Sequence, residues 1–499
     1  MDVTHPAPAK QMSRRTWASA LSAIQKFFWI LFLLGLTVTS FPFFPPTVGG
    51  GALVRPISVY PLIGLLLLVT LPRLVSKPLP KTLVALLPFA AIALISTMLA
   101  LLRGIQPTLG VSVTDRMLRA LITLGIGGAI YVTVSLFPRT PADLRSALRW
   151  LYAGFSLALL WGSLQAVYII HYIPQYYRWM NRLQRFISTR RLFATRASGL
   201  TYEPNWFAEQ IAFLLLPWLL ASVLSGYSVF RWRWRWVTVE WLLLIWAVVV
   251  LAFTFSRAGL VILIVLAFLG LLFFRTPRPG APARRRSFFT GWPRRLLEAS
   301  LVVSMLAGFI FLTGLNNTFF ARIWGYWSDI KNTSISGYFN YIGFGARFIY
   351  AETAFRAYEQ NPILGIGLGN YAFVFNEMLP DTPLAVTPEV LRLVTPDAGR
   401  DRLITTKNLY LRLLAETGLL GTAAFMAFVV AILGCALFLW LARDPEQQFW
   451  GKAGLLGLIA FSMSALSFDS FTVPNMWVVL GLITAAAWVF RNTCQEAPA

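Results

Sequence analysis

The sequence predicts an all-α polytopic integral membrane protein, with about twelve transmembrane helices and a large extracytoplasmic loop between helices 9 and 10. Three observations predict it. Apolar residues make up 57% of the 499 residues and charged residues only 13%, about half the charged share of an ordinary soluble domain. Mean hydropathy is +0.65, and apolar stretches of the length a helix needs to cross hydrocarbon recur along the chain. The charge itself is lopsided, 43 Lys and Arg against 20 Asp and Glu for a net +23, and it collects in alternate connections. A nucleic-acid binder would carry such an excess as a basic patch on a polar surface, which this composition cannot supply.

Spans are expected to start near Ile24, Ile57, Thr82, Met117, Leu148, Pro204, Val237, Ala258, Leu296, Leu409, Trp450 and Val473. The first is not a cleaved signal, since Ser40-Phe41-Pro42 offers no small-x-small site. The stretch from Leu409 to Ala442 exceeds one crossing, so its first part is expected outside the hydrocarbon core. With the N-terminus in the cytoplasm, twenty-three basic residues fall on that side and only five in the short loops opposite. The positive-inside rule therefore puts both termini in the cytoplasm. Residues 1–315 then form the first nine helices, with a basic outer segment at 173–203 and a cytoplasmic linker at 275–295. Residues 316–407 form the large loop and 408–499 the last three helices. Arg231-Trp-Arg-Trp-Arg-Trp236 reads as an interfacial aromatic belt. The linker, with Arg284-Arg285-Arg286, reads as an inside loop touching anionic headgroups.

Metal chemistry has few footholds here. The histidines are His5 and His171, and the cysteines Cys435 and Cys494 are too far apart for a zinc motif. The remaining acidic cluster is Asp397 with Asp401 in a Pro-rich stretch. No metal and no cofactor are expected.

The outer connections carry the chemical signal. Fifteen further basic residues sit in the two long ones, against the rule that orients the chain. Arg178, Arg182 and Arg185 recur at helical spacing and predict an amphipathic helix on the outer surface. Arg196-Ala-Ser-Gly-Leu-Thr-Tyr-Glu-Pro-Asn205 follows, a turn and then a helix start with Pro204 in the first turn. Arg196, Ser198, Glu203 and Asn205 thus gather at a helix N-terminus, which with an arginine favours phosphate; a structural Arg196–Glu203 pair is the plainer alternative. Thr254-Phe-Ser256-Arg257 joins two spans with almost no loop, so Arg257 points to a wet cavity or snorkels outward. In the large loop, Gly345-Ala-Arg347 leads into a helix expected to show Phe348, Ala351, Phe355 and Tyr358 on one face, stopped by Asn361-Pro362. Gly365-Ile-Gly-Leu-Gly-Asn370 reads as a tight turn at the lipid surface, without the βαβ setting of a dinucleotide site. Thr406 is expected to cap the next helix, with Lys407 and Asn408 in its first turn. A cation is disfavoured there, so an anionic partner is expected. That helix should end near Glu416-Thr-Gly418.

Taken in order, these motifs resemble a known group. R-x-S-G-x4-P-N before a span, S-R at a short outer turn, G-A-R-F-x-Y-A-E in a long loop, and N-L-Y-L-x-L-L-A-E-T-G-L-L-G after it resemble the O-antigen ligase and polymerase family, the Wzy superfamily. The resemblance implies a glycosyltransferase of the bacterial cytoplasmic membrane with its active site facing outward. It implies an undecaprenyl-diphosphate-linked glycan as donor, a glycan, lipid or protein as acceptor, membrane lipids as surroundings and no metal. It also implies that Arg196, Arg257 and Arg347 hold the donor diphosphate, with Asn205, Ser256 and Glu416 supporting. Where ligases of this family carry His-Asn, this chain has Lys407-Asn408. An ordinary lysine, with a pKa of about 10.4, is a poor base at neutral pH. Lys407 is then either a base deprotonated by burial among the arginines or one more phosphate clamp, with Glu203 or the substrate itself taking the proton. His171 is a substitute base or a plain interfacial residue. A transporter or flippase of lipid-linked anionic cargo is the alternative reading, because it too needs buried arginines.

Overall fold

The computed structural model describes residues 9–44, 54–76, 78–107, 110–274, 292–315, 317–329, 334–382, 387, 389–391 and 403–496. His5, Asp397 with Asp401, and the linker as far as residue 291 lie outside the described residues, as does the side chain of Cys494.

Helices follow the apolar runs in order. They are α1 (Ala9–Gly35), α2 (Val59–Ser76), α3 (Lys81–Ala100), α4 (Val113–Leu136) and α5 (Pro141–Ile170). The short α6 (Pro174–Gln184) precedes α7 (Pro204–Ser225), α8 (Val239–Phe253), α9 (Arg257–Phe274) and α10 (Trp292–Gly314). After the large loop, which contains α11 (Gly345–Gln360), come α12 (Leu409–Trp440), α13 (Pro445–Ser464) and α14 (Pro474–Glu496). Among the described residues nine helices have the length and apolar composition to cross a membrane: α2 to α5, α7, α9, α10, α12 and α14. Of the twelve expected crossings, α1, α8 and α13 match in position only. The 15 residues of α8 span about 22 Å, less than the roughly 30 Å of a hydrocarbon core.

The bundle is centred on α7 and α14, whose apolar windows are 83% and 78% buried; α10, at 11%, lies at the edge. α14 packs on α4, and α12 on α3 and α13. At one end the connections are short and knitted by polar contacts. There Arg145 pairs with Glu446 at 2.7 Å, and the Val229 N–H donates to Glu240 at 2.8 Å. The exposed Arg231–Trp236 segment forms most of a small hairpin there, β1 (Arg233–Trp234) against β2 (Val237–Thr238).

The other end holds the long connections. The large loop folds on a small core of its own, in which Ile349, Tyr350, Ala354 and Ala357 of α11 pack with Ile366, Tyr371 and Phe375 and reach Ala415 of α12. The face of α11 that carries the aromatic stripe is turned away from this core. Phe348 and Phe355 are exposed, and the small residues pack inward, because alanines allow a close approach and an apolar stripe beside lipid needs no protein partner. The glycine turn is not at the lipid surface. Gly365 to Asn370 is buried as a wedge, with the Ile366 and Gly367 N–H groups donating to the Ala415 and Glu416 carbonyls at 2.9 Å. The wedge meets α12 where Gly418 (φ 65°, ψ −167°) breaks it, a conformation open only to glycine. Beyond the break, the Leu419 N–H donates to the Pro362 carbonyl at 2.8 Å. One long apolar run is thereby divided into a loop-packed turn and a crossing, as its excess length suggested.

Candidate functional site

A cavity of about 2000 Å³ opens at the loop-rich end. Its walls are the starts of six helices: α4 behind Ser112, α7 behind Glu203, α9 behind Ser256, α11 behind Phe344, α12 behind Asn408 and α14 behind Val473. Each helix start brings the positive end of its helix dipole to the cavity. The wall also descends along α4 from Arg116 through Ala120, Ile122, Thr123 and Ile126, and along α9 from Arg257 to Val261 and Ile262. From Arg116 to Ile126 is a drop of about 15 Å, half the depth of a hydrocarbon core.

All the predicted site residues line this cavity except Arg196 and Glu416. Arg257 is the first residue of α9. Its Nη1 donates to the Ile342 carbonyl at 2.9 Å, while Nε and Nη2 are buried without a partner. Phe319 lies 5.7 Å beneath its guanidinium, 4.1 Å from that of Arg196 and 6.0 Å from that of Arg322. Three cations therefore share one aromatic ring. Arg347, in the first turn of α11, reaches among the described hydrogen bonds only the Lys407 carbonyl, at 3.5 Å.

Arg196 is placed differently from the expectation. It is buried, its Nε donates to the Thr254 carbonyl at 2.8 Å and its Nη2 to Asn205 Oδ1 at 2.7 Å. It braces the α8–α9 turn against the α7 start instead of facing the cavity. Burial lowers its pKa to about 10, Glu203 opposing the shift and Arg257 adding to it. The Arg196–Glu203 pair that stood as the plainer alternative is absent among the described contacts; Glu203 pairs with Arg190, which stacks on Phe193 and Tyr202. The reason is distribution of donors: Asn205 and a backbone carbonyl already occupy Arg196. Glu416 lies behind the wall, accepting from Arg412 at 2.8 Å.

The cap of α12 is corrected as well. Asn408, not Thr406, caps the helix, accepting from the Leu411 N–H at 3.2 Å. Lys407 stands outside the helix with a positive φ of 54° and is exposed, not buried among the arginines. Its N–H donates to Asp469 Oδ2 at 2.8 Å, and the Thr406 hydroxyl donates to the same oxygen at 3.2 Å. A carboxylate 62 residues away thus fixes the left-handed turn. Burial opposes ionisation of Asp469, but Lys407 and Arg412 outweigh it and hold the group below the usual carboxylate range. His171 is exposed at the end of α5 and does not line the cavity.

Sequence reasoning missed Asp469, Arg412 and Arg116 as members of the site. Arg412 is buried between Glu416 and the Asp469 carbonyl and lies 4.8 Å over Phe471. Arg116 reaches the Gly369 carbonyl at 3.4 Å. One signal could have found the arginines. Arg116, Arg257, Arg347 and Arg412 each fall within the first four residues of a helix that opens on the cavity, where a cation is electrostatically disfavoured.

Comparison with known proteins adds the last observation. Residues 242–426 match the family model described as O-antigen ligase, and no curated protein matches the chain. The matched stretch contains Ser256, Arg257, Arg347, Lys407, Asn408 and Glu416, while the Arg196–Asn205 segment precedes it. The recognition made from the motif order is borne out. It points to glycosyltransferase-like chemistry in cell-surface polysaccharide biosynthesis at the inner membrane.

Proposed function

We propose, on the premise that residues 242–426 belong to the O-antigen ligase family, that this protein transfers or polymerises glycan from an undecaprenyl-diphosphate-linked donor at the outer face of the cytoplasmic membrane. The observation that carries the reading is Arg257, whose buried Nε and Nη2 have no partner among the described residues, at the edge of a cavity ringed by helix N-termini. An unpaired buried cation is costly, and a diphosphate supplies the missing acceptors in a geometry that a guanidinium fits. The apolar descent along α4 and α9 suits the start of a polyprenyl tail. Arg347 and the exposed Lys407 would complete the clamp.

In the proposed reaction an acceptor hydroxyl attacks the anomeric carbon, a new glycosidic C–O bond forms, and the bond from that carbon to the diphosphate breaks. The diphosphate leaves with the bonding electrons, and its charge is stabilised by the preset arginines. The hydroxyl proton passes to Glu203, which lines the cavity. Asp469 is less suited to that task because its surrounding cations hold it ionised. Asn408 sets the helix end, and Asn205, Ser256 and Arg196 position the turns that carry Arg257.

The test is a proteoliposome assay with purified protein, undecaprenyl-diphosphate-linked glycan and candidate acceptors. Elongation of the glycan identifies a polymerase, and capture on a foreign acceptor identifies a ligase. Movement of the lipid across the bilayer with no new glycosidic bond overturns the reading in favour of a flippase.

A further inference from the structure

The cavity has a second set of unsatisfied atoms, opposite in character to those of Arg257. Thr39 Oγ1, Glu209 Oε1, Gln210 Oε1 and Asn475 Oδ1 are all out of reach of solvent and without a hydrogen-bond partner, and all four residues line the cavity. Thr39, Gln210 and Asn475 are at most 2% exposed. The donors of the two amides are already used. Gln210 Nε2 donates to the Leu36 carbonyl at 3.0 Å, and the Asn475 amide to the Glu209 carboxyl. Only oxygens are left over. Glu209 and Gln210 lie about 8 Å down α7 from Pro204, where the helix widens into a π-type turn at Gln210–Leu215, a feature frequent at functional sites.

Two orphaned amide oxygens at this depth, Gln210 Oε1 and Asn475 Oδ1, call for a ligand that donates, while the Thr39 hydroxyl can pair with either kind of partner. A phosphate, itself rich in acceptors, leaves both amide oxygens unpaired. A polyprenyl tail offers no donor. A dedicated metal site is poorly matched, since the described residues contain no group of three or more His, Cys, Asp or Glu. A sugar, with an O–H or an acetamido N–H on successive ring carbons, supplies several donors at once. Resting on the donor reading above, we infer that Thr39, Glu209, Gln210 and Asn475 form a subsite for the sugar attached to the diphosphate. Arg257 and its neighbours hold the anionic end of the same molecule.

The experiment titrates the protein in nanodiscs with undecaprenyl diphosphate and with undecaprenyl diphosphate carrying a disaccharide. The native protein is expected to bind the sugar-bearing lipid more tightly. Thr39→Val, which removes an unpaired hydroxyl at nearly constant shape, and Asn475→Leu should each weaken that lipid about tenfold, the worth of one buried hydrogen bond. Affinity for the bare lipid should be unchanged, which also certifies the fold of each variant. Equal losses for both lipids, or no loss for either, overturn the subsite. So does a variant effect that vanishes when sodium chloride is replaced by choline chloride, because that outcome assigns the oxygens to a cation. A native protein that binds bare lipid without preferring the sugar-bearing form refutes the subsite alone. One that binds neither lipid refutes the donor reading on which it rests.

Discussion

Replacing Arg257 by Met separates a ligand-binding role from a structural one. The native side chain makes one hydrogen bond, to the Ile342 carbonyl at 2.9 Å, and rests 5.7 Å over Phe319. Losing these costs about 1 kcal/mol and about 0.5–1 kcal/mol respectively. Against that, the change removes two buried guanidinium nitrogens, Nε and Nη2, that have no partner among the described residues, each a penalty of about 1–3 kcal/mol. The protein without substrate should therefore be no less stable, or slightly more so. With a diphosphate bound the balance reverses. Two charge-assisted hydrogen bonds, at about 1.5–3 kcal/mol each, disappear, so kcat/KM should fall by a factor of about a hundred to ten thousand. Intrinsic fluorescence during heating gives the first quantity, and transfer from lipid-linked glycan in proteoliposomes gives the second. Transfer within a few-fold of native, or a lost activity that merely accompanies a drop of several degrees in unfolding temperature, would refute the reasoning.

Lys407→Met should raise the donor concentration needed for half-maximal transfer while leaving the unfolding temperature in place, since the ammonium is exposed and only the backbone N–H is held; unchanged donor dependence removes Lys407 from the clamp. For Asp469 the folded pKa lies below the ordinary 3.8, so its stabilising effect is complete above that value and fades as pH falls toward the folded pKa. Asp469→Asn should accordingly lower the unfolding temperature at pH 7, and the gap to the native protein should narrow below pH 4; a gap that does not depend on pH counts against the ionic account. Gly418→Ala should cut the yield of folded protein severely on gel filtration, because an added Cβ would stand 2.4 Å from the Ile363 carbonyl oxygen. Gly343→Ala, at φ +75° but with nothing within 4 Å, should cost only the left-handed conformation, about 1–2 kcal/mol.

The helices were readable because in lipid an apolar run can do little other than form one. Which face of α11 packs was not, because an aromatic stripe can lie against lipid as well as against protein: Phe348 and Phe355 stay outside while Ala354 and Ala357 go in. The cap of α12 was equally hidden, because Thr406 and Asn408 are both competent caps. The choice was made by Asp469, which takes the Thr406 hydroxyl and the Lys407 N–H from another connection. Local chemistry offered two answers, and a long-range contact selected one.

The arginines follow the same division. Arg119 and Arg412 have an acid four residues away on their own helix, Asp115 and Glu416, and both pairs form. Arg257 and Arg347 have no acid within a turn of their own helices, and in the fold they meet only backbone carbonyls among the described hydrogen bonds. Their availability to an anion was thus written in i, i+4 spacing. What spacing could not reveal was Arg196, neutral to such a count but satisfied by Asn205 and by the Thr254 carbonyl from the next connection. An arginine near a helix start marks a place where phosphate is welcome. Whether it is the residue that receives the phosphate depends on what the rest of the fold has already given it.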